Sequence, residues 1–219
     1  MSQRPTFSLP FALAGIVFCI CLIASNLLAI KQVMVGPLVM TGALIVFPIS
    51  YIINDCIVEV WGYRRARLLI WTGFVMNFLF AVFGMLADAL PAAPFWDGQE
   101  GFHAIFGLAP RIACASFLAF LVGSFLNAYV MSRMKLRDGN RRFSLRAIAS
   151  TLVGESADSL VFFPIALGGI MPWDQMPVMM LTLIGLKTIY EIIALPVTIR
   201  VVRAMKRMEG QEVYDNNIS

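Results

Sequence analysis

Residues 178–199 read VMMLTLIGLKTIYEIIALPVTI, and residues 147–170 read AIASTLVGESADSLVFFPIALGGI. Each stretch matches the roughly 20 apolar residues that cross a hydrocarbon core. Each also carries ionisable groups near its middle: Lys187 and Glu191 in the first, Glu155 and Asp158 in the second. A charged side chain at the centre of a spanning helix costs roughly 2.5–3.5 kcal/mol on insertion scales, so charges kept there mark a site or a pathway rather than lipid-facing surface. The pair of stretches predicts a membrane protein that handles a polar solute.

The rest of the chain shares the same solvent. Hydrophobic residues make up 59% and charged residues 14%, against about 25% charged in a typical soluble domain, and the mean hydropathy is +0.80. Apolar segments recur at 9–30, 37–60, 68–90, 112–132, 147–170 and 178–199. In lipid the backbone must satisfy its own hydrogen bonds, and these segments lack the alternation of barrel strands. The expectation is an all-α membrane protein: one domain, a six-transmembrane-helix bundle.

Basic residues cluster after the second segment (Arg64, Arg65, Arg67), after the fourth (from Arg133 to Arg146) and after the sixth (Arg200, Arg203, Lys206, Arg207). The connections around Trp96 and Trp173 carry neither Lys nor Arg. Positive-inside bias therefore predicts both termini in the cytoplasm, with 204–219 as a cytoplasmic tail. The first apolar run is too long for a signal h-region and is expected to stay as helix one. No basic run is interleaved with aromatics, so lipid rather than nucleic acid is the expected neighbour. Cys19, Cys21, Cys56 and Cys114 lack ligand spacing, and no metal or cofactor is expected. Gly154-Glu155-Ser156 is not a nucleophile elbow, which argues against an enzyme.

Helical spacing sorts the polar residues. Asn77, Ala81, Gly84 and Asp88 fall on one face, as do Ser116, Phe120, Gly123, Ser124 and Asn127 on the next helix, and Thr151, Glu155, Asp158 and Phe162 on the fifth. The candidate substrate-binding set is Asp158, Glu155, Asp55, Lys187, Glu191, Asn77 and Asn127, with Phe162 and Tyr190 for stacking. A structural account competes with it. Lys187 can bridge to Glu191 or to Asp158, small residues can merely permit close packing, and Asn127 can be a hydrogen-bonding staple. Glu59, next to Arg64, Arg65 and Arg67, reads as an interfacial ion pair. Asp88 and Arg111 read as a salt bridge closing a loop, or as a gate. Pro48, Pro164 and Pro196 are expected to interrupt the helices that carry the acids.

The order Asn54-Asp55-Cys56-Ile57-Val58-Glu59-Val60-Trp61-Gly62, Arg111-Ile112-Ala113-Cys114-Ala115-Ser116, Gly154-Glu155-Ser156-Ala157-Asp158-Ser159 with Phe162-Phe163, and Leu186-Lys187 with Glu191 and Pro196 resembles the queuosine-precursor transporter family, a vitamin-uptake-like family. The resemblance runs from about Asn26 to Arg203. It implies inward transport of a 7-deazaguanine, such as 7-cyano-7-deazaguanine or its aminomethyl relative, for tRNA modification. Asp55, Glu59, Arg111, Asp158 and Lys187 stand at motif positions. Where helix four of the family often reads Gln and, three residues on, Asp, this chain has Ser124 and Asn127, which removes a carboxylate. A substrate-binding subunit of an ATP-driven importer, with separate ATPase and coupling proteins, stays open as an alternative, as do a homodimer and an intramembrane enzyme or structural protein. The chain has no Gly-x-x-x-x-Gly-Lys nucleotide loop of its own.

Overall fold

A computed structural model describes residues 8–138 and 143–209, with the side chains of Asp55, Glu59 and Glu191 outside the described residues. The elements are α1 (Leu9–Leu28), β1 (Gln32–Val35), β2 (Leu38–Thr41), a 3-10 turn (Gly42–Ile45), α2 (Phe47–Asp88), α3 (Gln99–Phe106), α4 (Ala109–Asp138), α5 (Phe143–Leu167) and α6 (Met176–Glu209). Among the described residues, four stretches are long and apolar enough to cross a membrane: Leu9–Leu28, Arg64–Asp88, Gln99–Asn127 and Met176–Ala194. Large apolar side chains such as Ile16, Phe83, Leu160, Leu181 and Ile193 point outward and are exposed, as lipid-facing positions must be. The chain is a multi-pass, predominantly helical membrane protein.

Three features depart from the sequence reading. The segment expected to enter the membrane at Pro37 first forms an antiparallel hairpin, with Val35 paired to Leu38 and Gln32 to Thr41. The helix starts only at Phe47, and Pro48 sits in its first turn instead of interrupting it, where its missing N–H breaks no helical bond. The basic stretch after the second apolar segment is helix, not loop: α2 continues to Asp88 with one break, at Gly62 (φ 79°, ψ 168°). That conformation is open essentially only to glycine. Finally, the long connection after residue 90 contains α3, which has no buried residue.

Two apolar cores lie at opposite ends of the bundle. One joins the hairpin (Met40), the start of α4 (Ile112, Ala115), the end of α5 (Phe163, Leu167) and the start of α6 (Met179, Leu183). The other joins the start of α1 (Phe11, Ala14) to the α2 break (Ile57, Val60, Trp61, Ala66), with Val202 and Met205 of α6 against it. Ser8 caps α1 by accepting the Phe11 N–H, and its hydroxyl donates to Glu209 at the end of α6, drawing the ends of α1 and α6 together. Pro164 and Pro196 are expected to interrupt their helices, but α5 and α6 run on through them. Along α6, Lys187 lies in the layer between the two cores, after Leu183 and before Val202.

Candidate functional site

On α5 the spacing of Glu155 and Asp158 sets both carboxylates on one face, toward α6. Lys187 answers from α6: its Nζ donates to Glu155 Oε2 at 2.6 Å and to Asp158 Oδ2 at 3.5 Å. The side chains are 13% (Lys187), 18% (Glu155) and 29% (Asp158) exposed. Charges this far from water persist only when paired, because desolvation costs each of them several kcal/mol, on the order of the attraction it gains. Lys187 therefore bridges helices, and Glu155 is its nearer acceptor. Asp158, longer in its contact and more exposed, is the more available acid.

The neighbouring helix is drawn in unusually close. A methyl group placed on Gly154 would lie 2.9 Å from Asn127 Cβ and 3.0 Å from the Gly123 carbonyl oxygen, and one on Gly123 would lie 3.0 Å from Asp158 Cβ. Only hydrogen at both positions lets α4 and α5 approach this near. The crossing sets Asn127 beside the residue preceding Glu155. Phe162, one turn beyond Asp158, is partly buried, with its ring 5.4 Å from Phe163 and perpendicular to it. Tyr190 is half-buried on α6, three residues from Lys187. Phe120 turns elsewhere, into an aromatic cluster with Phe74 at 5.3 Å. Ser159 escaped the sequence reading. It is 1% exposed, and its hydroxyl has no hydrogen-bond partner among the described residues.

Asn77 does not join the charged cluster. It lines a small cavity, about 10 Å³ open to water, with Asn26, Ile23, Leu27, Phe80, Ala81 and Ala109. Asn26 and Asn77 are 9% and 2% exposed, and the Nδ2 of each lacks a partner among the described residues. Asn26 too was missed, although it is the one carboxamide in residues 9–30.

The expected Asp88–Arg111 salt bridge is not formed. Asp88 instead accepts from Gln99 Nε2 at 3.0 Å and pairs with His103 Nδ1, which ties α3 to the end of α2. Arg111 donates to the carbonyls of Ile165 and Gly168, at 2.5 Å each. Those carbonyls belong to the last turn of α5 and the residue after it, where the helix leaves acceptors without N–H partners and its dipole favours a cation. Each side chain found a better-placed partner than the other. Asp55, Glu59 and Glu191, named as site or interface residues on sequence grounds, lie outside the described side chains. Among the described residues no group of three or more His, Cys, Asp or Glu side chains could hold a metal ion.

The family described as "Putative vitamin uptake transporter" matches residues 41–201. The chain belongs to this family. Asn77, Asn127, Glu155, Asp158 and Lys187 lie inside the matched range, whereas Asn26 precedes it. Among curated proteins, it is 29% identical over 155 residues to "Probable queuosine precursor transporter" of Bacillus subtilis (strain 168), covering 69% of this chain and 67% of that protein. It is 33% identical over 124 residues to "Queuosine precursor transporter" of Escherichia coli (strain K12), covering 55% of this chain and 52% of the relative. A third, "Probable queuosine precursor transporter" of Haemophilus influenzae, is 29% identical over 126 residues, covering 58% and 51%. The chain thus spans about half the length of two of these three relatives. No solved structure matches it.

Proposed function

We propose that this chain imports a queuosine precursor, a 7-deazaguanine such as 7-cyano-7-deazaguanine or its aminomethyl relative, across a bacterial inner membrane, for use in tRNA modification. The bundle crosses six times with both termini in the cytoplasm, α5 and the first half of α2 adding to the four stretches that are apolar enough on their own. The observation that carries the reading is the part-buried Glu155–Asp158–Lys187 cluster, in a family described as transporters, with relatives named for this class of substrate.

A deazaguanine presents a ring N–H and an exocyclic amine side by side, and one carboxylate accepts both. Asp158 fills that role, because its hold on Lys187 is the weaker of the two and its side chain the more exposed. Lys187 then stays with Glu155 and keeps the net charge of the cluster low. Asn127, across the α4–α5 crossing, meets the substrate carbonyl. Phe162 and Tyr190 flank the ring, a stacking contribution of roughly 1–3 kcal/mol per base by analogy with nucleobase platforms. Asp55 and Glu191, whose side chains lie outside the described residues, are kept as further candidate acids on sequence grounds.

The test is growth or tRNA modification in a bacterium that cannot make the precursor and is supplied with limiting 7-cyano-7-deazaguanine. Asp158→Asn keeps shape but halves the acceptor capacity of the side chain, so uptake is expected to vanish while membrane abundance stays normal. Undiminished uptake in that variant would reject the role given to Asp158.

A further inference from the structure

On the outer face of the bundle, α1 and the second half of α2 leave an open groove of about 450 Å³ between them. It runs along α1 from Ala12 to Ile23 and along α2 from Leu69 to Met76. Ala12 and Ile23 are eleven residues apart, about 16 Å at a rise of 1.5 Å per residue. That is half of a hydrocarbon core of roughly 30 Å, the depth of one leaflet. The walls are apolar, and the hydroxyl of Thr72 is spent on the Leu68 carbonyl at 2.8 Å. Such a surface offers a flat polar solute no partner, and it suits a hydrocarbon chain.

The groove has a cationic head. Arg65, Leu69, Thr72 and Met76 fall at i, i+4, i+7 and i+11, so Arg65 leads the stripe of α2 that lines it. The Arg65 guanidinium carbon lies 5.7 Å from the centre of the Phe11 ring, the residue before Ala12, which sets the charge at the Ala12 end. Arg64 and Arg67 are exposed beside it. None of the three arginines forms a salt bridge among the described residues. The break at Gly62 also makes this the first turn of a new helix, whose free N–H groups add positive potential. From α6, Val202 and Met205 pack at the same end and bring Arg203, Lys206 and Arg207 with them. Glu209 lies there too, held by the Ser8 hydroxyl. An apolar trough one leaflet deep, with a guanidinium at its mouth, has the two-part chemistry of an anionic lipid. A helix from a second copy of the chain would use the trough but not the cation.

We propose that the groove between α1 and α2 binds one anionic phospholipid, with an acyl chain along the trough and the phosphate facing the Arg65 guanidinium. Arginine presents a planar fork of donors matched to phosphate oxygens. The site stands apart from the Glu155–Asp158–Lys187 cluster and holds whatever solute the bundle carries.

The test is native mass spectrometry of the purified full chain in detergent, offered equal amounts of dioleoylphosphatidylglycerol and dioleoylphosphatidylcholine, which share their chains and differ in net charge. The first lipid bound is expected to be phosphatidylglycerol. Arg65→Gln should cut that preference about fivefold, the worth of one basic residue at a membrane surface. Arg65→Lys should keep most of it, and Arg207→Gln, which removes the same charge from α6, should leave it unchanged. Ala12→Trp fills the trough from an exposed position and should weaken both lipids together. An absent preference in the wild-type chain overturns the site, as does an equal loss in Arg65→Gln and Arg207→Gln, which would mean diffuse attraction only. Undiminished phosphatidylglycerol binding in Ala12→Trp overturns it as well, and this result stands even if Arg65→Gln fails to fold. So does a wild-type dimer that Ala12→Trp separates, since the trough would then belong to a second copy.

Discussion

The bundle has two polar sides, built on opposite terms. Between α5 and α6, Lys187 is paired with Glu155 and Asp158. Between α1 and α2, the amino groups of Asn26 and Asn77 have no partner among the described residues. The difference follows from charge. An isolated ion in a low-dielectric interior is too costly to persist, so the acids and the lysine must satisfy one another before any ligand arrives. A neutral amide costs less and can be left open. The first side resists being taken apart, and the second gains stability when its polarity is removed.

Removing the cation should break the contrast most violently. Lys187→Met takes the ammonium away from the carboxylates of α5, a change that costs about 3–5 kcal/mol for a buried pair. A large fall in the thermal unfolding midpoint in detergent, with loss of uptake, is the expected result. Substitutions on the other side should run in the opposite direction. Asn77→Leu removes a buried donor that has no acceptor among the described residues, worth about 1–3 kcal/mol of relief, so the protein should unfold at a higher temperature. A rise in stability on one side and a fall on the other, measured in one assay, would sharpen the comparison; a fall on both would dissolve it.

Packing between the two sides supplies a change of similar size. Gly154→Val forces a branched side chain against Asn127 and the Gly123 carbonyl, contacts already at 2.9 and 3.0 Å for a single methyl. Overpacking of this kind costs about 1–3 kcal/mol, and separating α4 from α5 should weaken substrate binding as well, seen as lower affinity together with a lower unfolding midpoint. The smallest effect is expected away from both sides. His103 is 70% exposed on its side chain where it meets Asp88, and exposed pairs contribute about 0–1 kcal/mol. His103→Gln should leave the unfolding midpoint nearly unchanged.

Much of the charged side was legible in advance. Glu155 and Asp158 at i, i+3 must share a helix face, and a lysine in the middle of another apolar stretch has few places to go in lipid except toward an acid. Periodicity did not show which acid would be nearer, because that depends on helix rotation and on the Gly123–Gly154 crossing. It also misjudged Asp88 and Arg111. Their expected pairing assumed that opposite charges at the two ends of a loop seek each other, whereas α3 folded within that loop and brought His103 and Gln99 to Asp88. Arg111 meanwhile met the open carbonyls at the end of α5. The hairpin at Gln32–Thr41 was hidden because an apolar β-ribbon and an apolar span look alike in composition.

By itself the sequence determined the solvent and the currency of the site: apolar runs of membrane length dictate helices in lipid, and ionisable residues at their centres dictate a polar interior. Tertiary structure alone decided who meets whom. Asn26 and Asn77 are separated by 51 positions in the chain, and no local pattern joins them. They line one cavity because α1 packs along the second half of α2, and an interhelical distance is a property of packing, which no single helix encodes.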